Sequence, residues 1–209
     1  MDENLTEEQQ IEQLKRLWKE YGFAIVLGAL IALSISFAWR FYNNYKTTRA
    51  EHAAIVYEQT MGDLLNGQTS AAIAQAKKLI KKFKSTPYAS LSAFVLAQNA
   101  VESNKLDEAV KRLQWIIVHG NTKTFRDLAR IRLARIYVEQ TKSDDAIKLL
   151  KSVKSPEFIG LTAKVRGDAY LKLNQTDQAR QAYQEAVDHL PASSGIYDLA
   201  KMALYNLPN

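Results

Sequence analysis

The hydrophobic and polar positions of this chain follow two patterns, one continuous and one periodic. Residues 21–39 read YGFAIVLGALIALSISFAW and contain no charged side chain. From residue 48 onward, apolar positions recur every three or four residues in segments that short polar stretches separate. A continuous apolar run of about 20 residues is typical of a membrane-spanning helix, whereas the second pattern predicts amphipathic helices. The sequence therefore predicts an all-α fold, with an N-terminal transmembrane helix followed by a helical domain.

The apolar run could be a retained membrane anchor or a cleaved signal peptide. Aromatic residues such as Trp18 and Trp39 flank both of its ends, as in helices whose ends lie among lipid headgroups. It exceeds the about 7–15 apolar residues of a signal peptide, although SFA at 36–38 resembles a cleavage site. A retained anchor is our interpretation, and signal cleavage is the alternative. Three segments are predicted: an acidic tail over 1–20, the anchor over 21–42 and a helical-repeat domain over 43–209.

Small residues occupy every fourth position inside the predicted anchor, at Ala24, Gly28, Ala32 and Ser36. On a helix they form one stripe, and such a stripe lets a second membrane helix approach closely. Because small residues are common in membrane helices, a packing seam and ordinary composition both stay open. Each flank carries three Lys or Arg residues, so the distribution of positive charge does not decide the orientation of the anchor.

The periodic part contains four segments that align with one another: TSAAIAQAKKLI, LDEAVKRLQWII, SDDAIKLLKSV and TDQARQAYQEAV. Their shared alanines are Ala72, Ala109, Ala146 and Ala179. The spacings of 37, 37 and 33 residues lie near the about 34 residues of a helix-turn-helix repeat. Each segment follows another amphipathic run, over 48–65, 88–102, 125–140 and 158–173. We therefore predict four helix pairs, and residues 196–206 predict a terminal helix that caps the stack.

The last of these units resembles the tetratricopeptide repeat. Gly167, Tyr170, Ala179, Tyr183, Ala186 and Pro191 fall at the Gly, Tyr, Ala, Phe, Ala and Pro positions of that repeat. Small alanines let paired helices approach, the aromatic rings fill the gaps between them, and proline ends the second helix. The earlier units match less well, and the first keeps only Ala72, Ala76 and Leu79. This resemblance implies a tetratricopeptide-like solenoid of helical hairpins.

A tetratricopeptide array carries a groove lined by the first helix of each pair. The resemblance, carried over position by position, predicts a protein-binding groove made of Leu91, Phe94, Gln98, Leu128, Ile131, Arg135, Leu161, Lys164 and Asp168. Several of these residues are apolar, which suits hydrophobic peptide segments. Apolar residues at helical spacing are usually core, so burial of these side chains is an equally open alternative.

The composition offers little chemistry for catalysis. The chain has no cysteine, and its three histidines, His52, His119 and His189, are scattered without metal-ligand spacing. We predict no catalytic residue, no cofactor and no metal, and hence no enzyme. The acidic residues Asp107, Asp144, Asp145 and Asp177 lie near predicted helix starts, where we expect them to act as caps and as partners of the helix dipole.

Two basic clusters need an explanation. One is KKLIKKFK at 77–84, and the other comprises Arg126, Arg130, Arg132 and Arg135. The lysines end a predicted helix, where cations favour the helix dipole, so a solvated helix end is the simplest interpretation. A membrane-surface role of the lysines is an alternative. Nucleic acid is not predicted as a partner, since Phe83 is the one aromatic residue in the lysine cluster that could stack on bases.

Taken over its whole length, the chain resembles the YfgM family of ancillary subunits of the bacterial SecYEG translocon. The resemblance rests on the acidic tail, the single anchor and the repeats that degenerate toward the N-terminus. It implies a single-pass protein of the bacterial inner membrane, with a cytoplasmic N-terminus and a periplasmic repeat domain. The implied partners are SecYEG, the membrane-anchored periplasmic chaperone PpiD and exported client proteins, which the family helps to pass to chaperones. The alternative is a general cell-envelope scaffold for cell-wall or division assemblies, unrelated to export.

Overall fold

The computed structural model describes residues 7–208, with side chains from Gln10 onward. Residues 1–6 of the predicted acidic tail lie outside the described residues. The α-helices are α1 (Glu7–Leu65), α2 (Thr69–Lys82), α3 (Pro87–Glu102), α4 (Leu106–His119), α5 (Lys123–Glu139), α6 (Ser143–Leu150), α7 (Ile159–Lys172), α8 (Thr176–His189) and α9 (Gly195–Tyr205). A short 3-10 helix, Pro156–Phe158, precedes α7. The prediction of an all-α fold with a long apolar N-terminal helix is confirmed.

The chain forms two compact units, an N-terminal unit (Met1–Arg49) and a repeat unit (Ala50–Asn209). Helix α1 supplies the described part of the first unit and the opening residues of the second. Its apolar side chains are exposed all round the N-terminal unit, and Phe23 and Phe37 keep 83% and 77% of their surface accessible. Among the described residues, α1 is the one helix long and apolar enough to cross a membrane.

Helices of the repeat unit pack in the order of the chain, from α2 against α3 through to α8 against α9, with α5 also touching α7. The alanines shared by the four aligned segments, Ala72, Ala109, Ala146 and Ala179, are fully buried. A methyl side chain at each of these positions lets a second helix lie close to its partner, since a larger group would hold the two axes apart. In the last three pairs, the repeat pattern of the sequence therefore marks the places where paired helices touch.

The turn inside each helix pair has the same backbone conformation. Gly67, Asn104, Thr141 and Asn174 all have positive φ, at 74°, 55°, 61° and 57°. The N–H of the following residue donates to the carbonyl five residues earlier, at N···O distances of 2.7, 2.7, 2.8 and 2.9 Å. This is the Schellman arrangement, which satisfies carbonyls that the end of a helix leaves without partners. The first pair, whose sequence matches the repeat least, has the same turn as the other three.

The acidic residues near the second helices act differently from the prediction. Asp107, Asp144 and Asp177 each lie one residue inside the helix, within its first turn. The N-cap positions are Lys105, Lys142 and Gln175, and none of them makes a side-chain capping hydrogen bond. The residue after the positive-φ position becomes the N-cap, which places the aspartates too late to cap. The dipole part of the prediction still fits their first-turn location.

Candidate protein-binding clefts

A cleft of about 620 Å³ opens between the first helices of the last two pairs and the terminal helix, and we call it the C-terminal cleft. It is lined by Arg135, Val138 and Glu139 of α5, Lys164, Asp168, Leu171 and Lys172 of α7, Tyr183 of α8, and Ile196 and Leu199 of α9. Three of the nine predicted groove residues, Arg135, Lys164 and Asp168, therefore meet in one cleft. The volume lies in the range of pockets that bind a ligand or a few side chains of a peptide.

A hydrogen-bonded group forms the polar centre of the C-terminal cleft. The carboxylate of Asp168 accepts from Lys164 Nζ at 2.8 Å and from the Tyr183 hydroxyl at 2.9 Å. Tyr183 is 1% exposed, and its burial, followed by the charge and hydrogen bond of Asp168, raises the pKa of its hydroxyl. Because Lys164 and Asp168 neutralise each other, the exposed charges left to meet a partner are the cations Arg135 and Lys172 and the carboxylate of Glu139.

The apolar share of the C-terminal cleft comes mainly from Leu171, Ile196 and Leu199. Leu171 is 42% exposed and Leu199 is 56% exposed, so both can contact a bound segment. Apolar surface beside two exposed cations and one carboxylate suits a peptide that carries hydrophobic side chains and an acidic group. The arrangement provides contacts for binding.

A second cleft, of about 360 Å³, lies between the end of α1 and α3 within the repeat unit. It is lined by Met61, Leu64, Thr69, Val95, Gln98, Asn99 and Glu102. Gln98, a predicted groove residue, donates from its amide to the Glu102 carboxylate at 3.0 Å. The predicted groove is thus represented by two separate clefts, one near each end of the repeat unit.

The remaining predicted groove residues belong to the core or to its edge. Ile131 is fully buried, and Phe94 is 7% exposed beneath the Arg132 guanidinium, which lies 4.7 Å from the centre of its ring. Leu128 and Leu161 are half-buried against the core clusters, and Leu91 is half-buried. For Ile131 and Phe94 the predicted exposure is wrong. Neighbouring helices cover these side chains, as the core alternative anticipated.

Sequence reasoning missed the contribution of the terminal helix. We expected α9 to cover the end of the stack, and it does pack against α8. However, Leu199, Met202 and Tyr205 are 56%, 60% and 89% exposed. Their spacing of three residues places them along one face of α9, which is an amphipathic signal visible in the sequence. This face continues from Leu199, which also lines the C-terminal cleft.

The stripe of small residues in the predicted anchor is accessible. Ala24, Gly28, Ala32 and Ser36 are all exposed in the N-terminal unit. A Cβ atom added at Gly28 would meet no heavy atom within 4 Å. The stripe has room for a second helix, and its use as a packing seam stays a prediction.

The arginines of α5 have separate local roles. Arg126 donates to the Gly120 carbonyl at 2.6 Å, and Arg130 pairs with Asp127 at 2.7 Å. Arg132 covers the Phe94 ring, and burial, together with the nearby charge of Arg135, lowers the pKa of Arg132. These residues therefore do not form one cationic surface. Within the part of the chain that the structure describes, no group of three or more His, Asp or Glu side chains is placed to hold a metal ion.

Together, the helical pairs with their identical turns and the clefts along the first helices define a helical-repeat protein that carries one candidate membrane-spanning helix. Residues 15–209 match the family described as tetratricopeptide repeat-like domain, and the chain belongs to that family.

Three relatives of nearly the same length share the name ancillary SecYEG translocon subunit. The protein from Escherichia coli is 29% identical over 203 residues, which cover 96% of each chain. The protein from Haemophilus influenzae is 24% identical over 98% of each chain, and that from Neisseria gonorrhoeae is 23% identical over 99% of this chain and 100% of its own. These matches confirm the resemblance to the YfgM family.

Proposed function

We propose that this protein is a non-catalytic ancillary subunit of the SecYEG translocon in the bacterial inner membrane. The observation that carries the proposal is the similarity, over almost the whole chain, to three proteins with that name. The long apolar part of α1 supports it, because a subunit of a membrane channel needs a means of staying in the membrane. In this proposal the N-terminus is cytoplasmic and the repeat unit is periplasmic.

The repeat unit would serve as the binding part of the protein. We propose that its clefts receive segments of the membrane-anchored chaperone PpiD and of exported clients, and so help to pass clients to chaperones. In the C-terminal cleft, exposed leucines and two exposed cations, against the one exposed carboxylate of Glu139, favour segments that are partly hydrophobic and partly acidic. The small-residue stripe at Ala24, Gly28, Ala32 and Ser36 would contact a helix of the translocon.

Site-specific photocrosslinking in intact membranes tests this function. A photoreactive residue at Leu199 or Gln98 should crosslink to SecYEG, to PpiD or to a protein in transit, because these side chains line the two clefts. The same residue at Gln181, exposed on α8, is the matched control and should give fewer products. If purification of the solubilised protein yields cell-wall or division proteins and no translocon subunit, the general envelope scaffold is correct and the proposal fails.

A further inference from the structure

One region of the repeat unit carries charge of a single sign. Residues 64–101 contain five lysines and neither aspartate nor glutamate. The lysines are Lys77, Lys78, Lys81, Lys82 and Lys84, at the end of α2 and just beyond it. Such a segment produces a local positive potential, because no carboxylate within it offsets the ammonium groups.

These five lysines share the outer face of α2 and its end. All five are exposed, whereas Ala72, Ala76 and Leu79 of the same helix are buried. At about 100° per residue, the centre of the lysine set lies nearly half a turn from the centre of the buried set. We call this surface the lysine face. It points away from the core of the repeat unit and is open along its length.

Internal ion pairs and the helix dipole do not account for most of the lysine face. The helix dipole favours cations in the last turn, which explains Lys81 and Lys82 but not Lys77 and Lys78, which precede that turn. Among the described residues, Lys77, Lys78, Lys81 and Lys84 take part in no ion pair. Five cations on one face repel one another, so the arrangement favours a negatively charged surface outside the chain.

We propose that the lysine face binds the anionic phospholipid headgroups of the membrane that holds α1. Lysine is a hydrated point charge on a flexible stem, which suits a diffuse negative surface better than a bidentate site. A membrane-spanning helix confines the chain to a lipid surface. Single-stranded nucleic acid would require stacking rings, and Phe83, which is half-buried, is the one aromatic side chain among residues 77–84. The proposal uses the membrane anchoring of the proposed function and does not depend on the translocon.

The full-length protein, reconstituted into vesicles, provides the test. Because the chain has no cysteine, Ser85→Cys introduces a single thiol beside the lysine face for a fluorescent label. Quenching of this label by headgroup-spin-labelled lipid should be stronger in vesicles of phosphatidylcholine and phosphatidylglycerol than in phosphatidylcholine alone. The difference should disappear at high salt, which screens exposed charges. The same label at Ser152→Cys, exposed after α6, reports any general approach to the membrane.

Charge removal assigns the effect to the lysines. Changing Lys77, Lys78, Lys81 and Lys84 to Gln should lower the ratio of docked to undocked molecules at least about tenfold, because each lysine near an anionic membrane contributes about fivefold. The matched control changes Lys111, Lys123, Lys148 and Lys151, all exposed, to Gln and should leave most of the quenching. Circular dichroism verifies that both variants fold.

Two outcomes would overturn the proposal. One is quenching that is equal in neutral and anionic vesicles, or equally reduced by both sets of substitutions. The other is binding of a labelled polyuridine oligonucleotide that the lysine-face substitutions abolish while quenching by lipid stays the same. Neither result would bear on the translocon proposal, since crosslinking at Leu199 and Gln98 does not involve the lysine face.

Discussion

Asp127 and Ser155 are joined through a single carboxylate oxygen, although 28 residues separate them in the chain. Asp127 Oδ2 accepts from the Ser155 hydroxyl at 2.7 Å and from its N–H at 3.1 Å. The Lys154 N–H donates to the same oxygen at 3.1 Å, and Arg130 donates to Oδ1 at 2.7 Å. Asp127 is 1% exposed. The carboxylate therefore fastens α5 to the segment that follows α6. Helix α6 has eight residues, whereas the other second helices, α2, α4 and α8, have 14 each.

Replacing the carboxylate should destabilise the repeat unit. In Asp127→Asn one carboxylate oxygen becomes an amide nitrogen, which cannot accept a hydrogen bond. The buried groups that donate to that oxygen in the wild type therefore lose their acceptor. We expect the free energy of unfolding to fall by roughly 2–3 kcal/mol. Denaturant unfolding of the full-length protein in detergent, followed by circular dichroism, measures this change. Asp145→Asn, an exposed residue in the first turn of α6, should shift the stability by less than about 0.5 kcal/mol.

Stability should also depend on the protonation of Asp127. Burial alone would raise the pKa of Asp127, but hydrogen bonds from Ser155, Lys154 and Arg130 outweigh it and hold that pKa below its ordinary value. Because this pKa is lowered by folding, the ionised carboxylate contributes to the free energy of unfolding. The contribution is fully present above about pH 4, where aspartate in the unfolded chain is ionised, and it is lost as the pH falls through the pKa of Asp127 in the folded protein. The stability difference between wild type and Asp127→Asn should therefore shrink below pH 4. A difference that stays constant under acid would contradict this assignment.

Thr141→Gly should stabilise the protein, although it removes a side chain. Thr141 has a φ of 61°, and a β-branched residue in this left-handed conformation costs about 1–2 kcal/mol. Glycine relieves that strain, but its greater conformational freedom stabilises the unfolded chain and offsets part of the effect. We expect the free energy of unfolding to rise by about 0.5–1 kcal/mol. Thermal unfolding of the purified protein measures it. Asn104→Gly, at the equivalent turn, is the control and should gain less, because asparagine tolerates positive φ.

Gly167→Ala should be damaging because of Tyr183. A Cβ atom at position 167 would lie 2.6 Å from both Cδ1 and Cε1 of the Tyr183 ring. The Tyr183 ring is buried, and its hydroxyl donates to Asp168, so the ring cannot move away without losing packing or this hydrogen bond. We expect the free energy of unfolding to fall by roughly 1–3 kcal/mol. Gly195→Ala meets no atom within 4 Å and should be nearly neutral. If the two alanine variants unfold at the same denaturant concentration, close packing at Gly167 is not important for stability.

The clefts allow partner binding to be separated from folding. Leu199→Glu places a charge on an exposed residue of the C-terminal cleft, so the protein should still fold. Crosslinked products at the C-terminal cleft should decrease, whereas crosslinking from Gln98 in the other cleft should persist. Phe94→Glu, by contrast, removes a ring from the core and places a carboxylate among apolar side chains, so it should unfold the protein even though Arg132 is nearby. Co-purification and circular dichroism on the same samples distinguish the two effects. Loss of folding in Leu199→Glu would refute the assignment of this residue to a binding surface.

Gly28→Leu combined with Ala32→Leu tests the small-residue stripe of α1. The larger side chains would hold a neighbouring helix away. Both substitutions keep the segment apolar, so membrane insertion should be unchanged. We expect co-purification of the translocon to fall several-fold. Ser34→Leu combined with Ala38→Leu, four residues apart on the other side of the same helix, provides the control. Unchanged co-purification would reduce α1 to a tether.

Much of the helical architecture could be predicted because it is encoded locally. Apolar periodicity and polar turns located the helix pairs, and α3 and α7 lie within one residue or so of the predicted runs 88–102 and 158–173. In the last unit, the family positions Ala179, Ala186 and Tyr183 are buried between helices, in keeping with the predicted close approach and gap filling. Local spacing carries this information because the hydrogen bonds and turns of a helix pair join residues near in sequence.

The site was less predictable, because exposure depends on helices that are distant in sequence. Phe94 and Ile131 occupy groove positions of the family, yet neighbouring helices cover them. The C-terminal cleft needs α9 beside α5 and α7, and no local pattern fixes how far α9 extends over them. Asp127 lies among arginines in the sequence of α5, and nothing local indicates its burial, which its contacts with Lys154 and Ser155 explain.

The packing of each helix mainly against its neighbours in the chain also determines how the repeat unit should respond to mechanical force. Repeats that contact only adjacent repeats can separate one after another, since no strand or helix from far along the chain fastens the ends. Under tension, α9 should detach first, followed by α8 and α7, with the Asp127 carboxylate resisting the next step. The repeat unit would then lengthen in stages and absorb work as it yields.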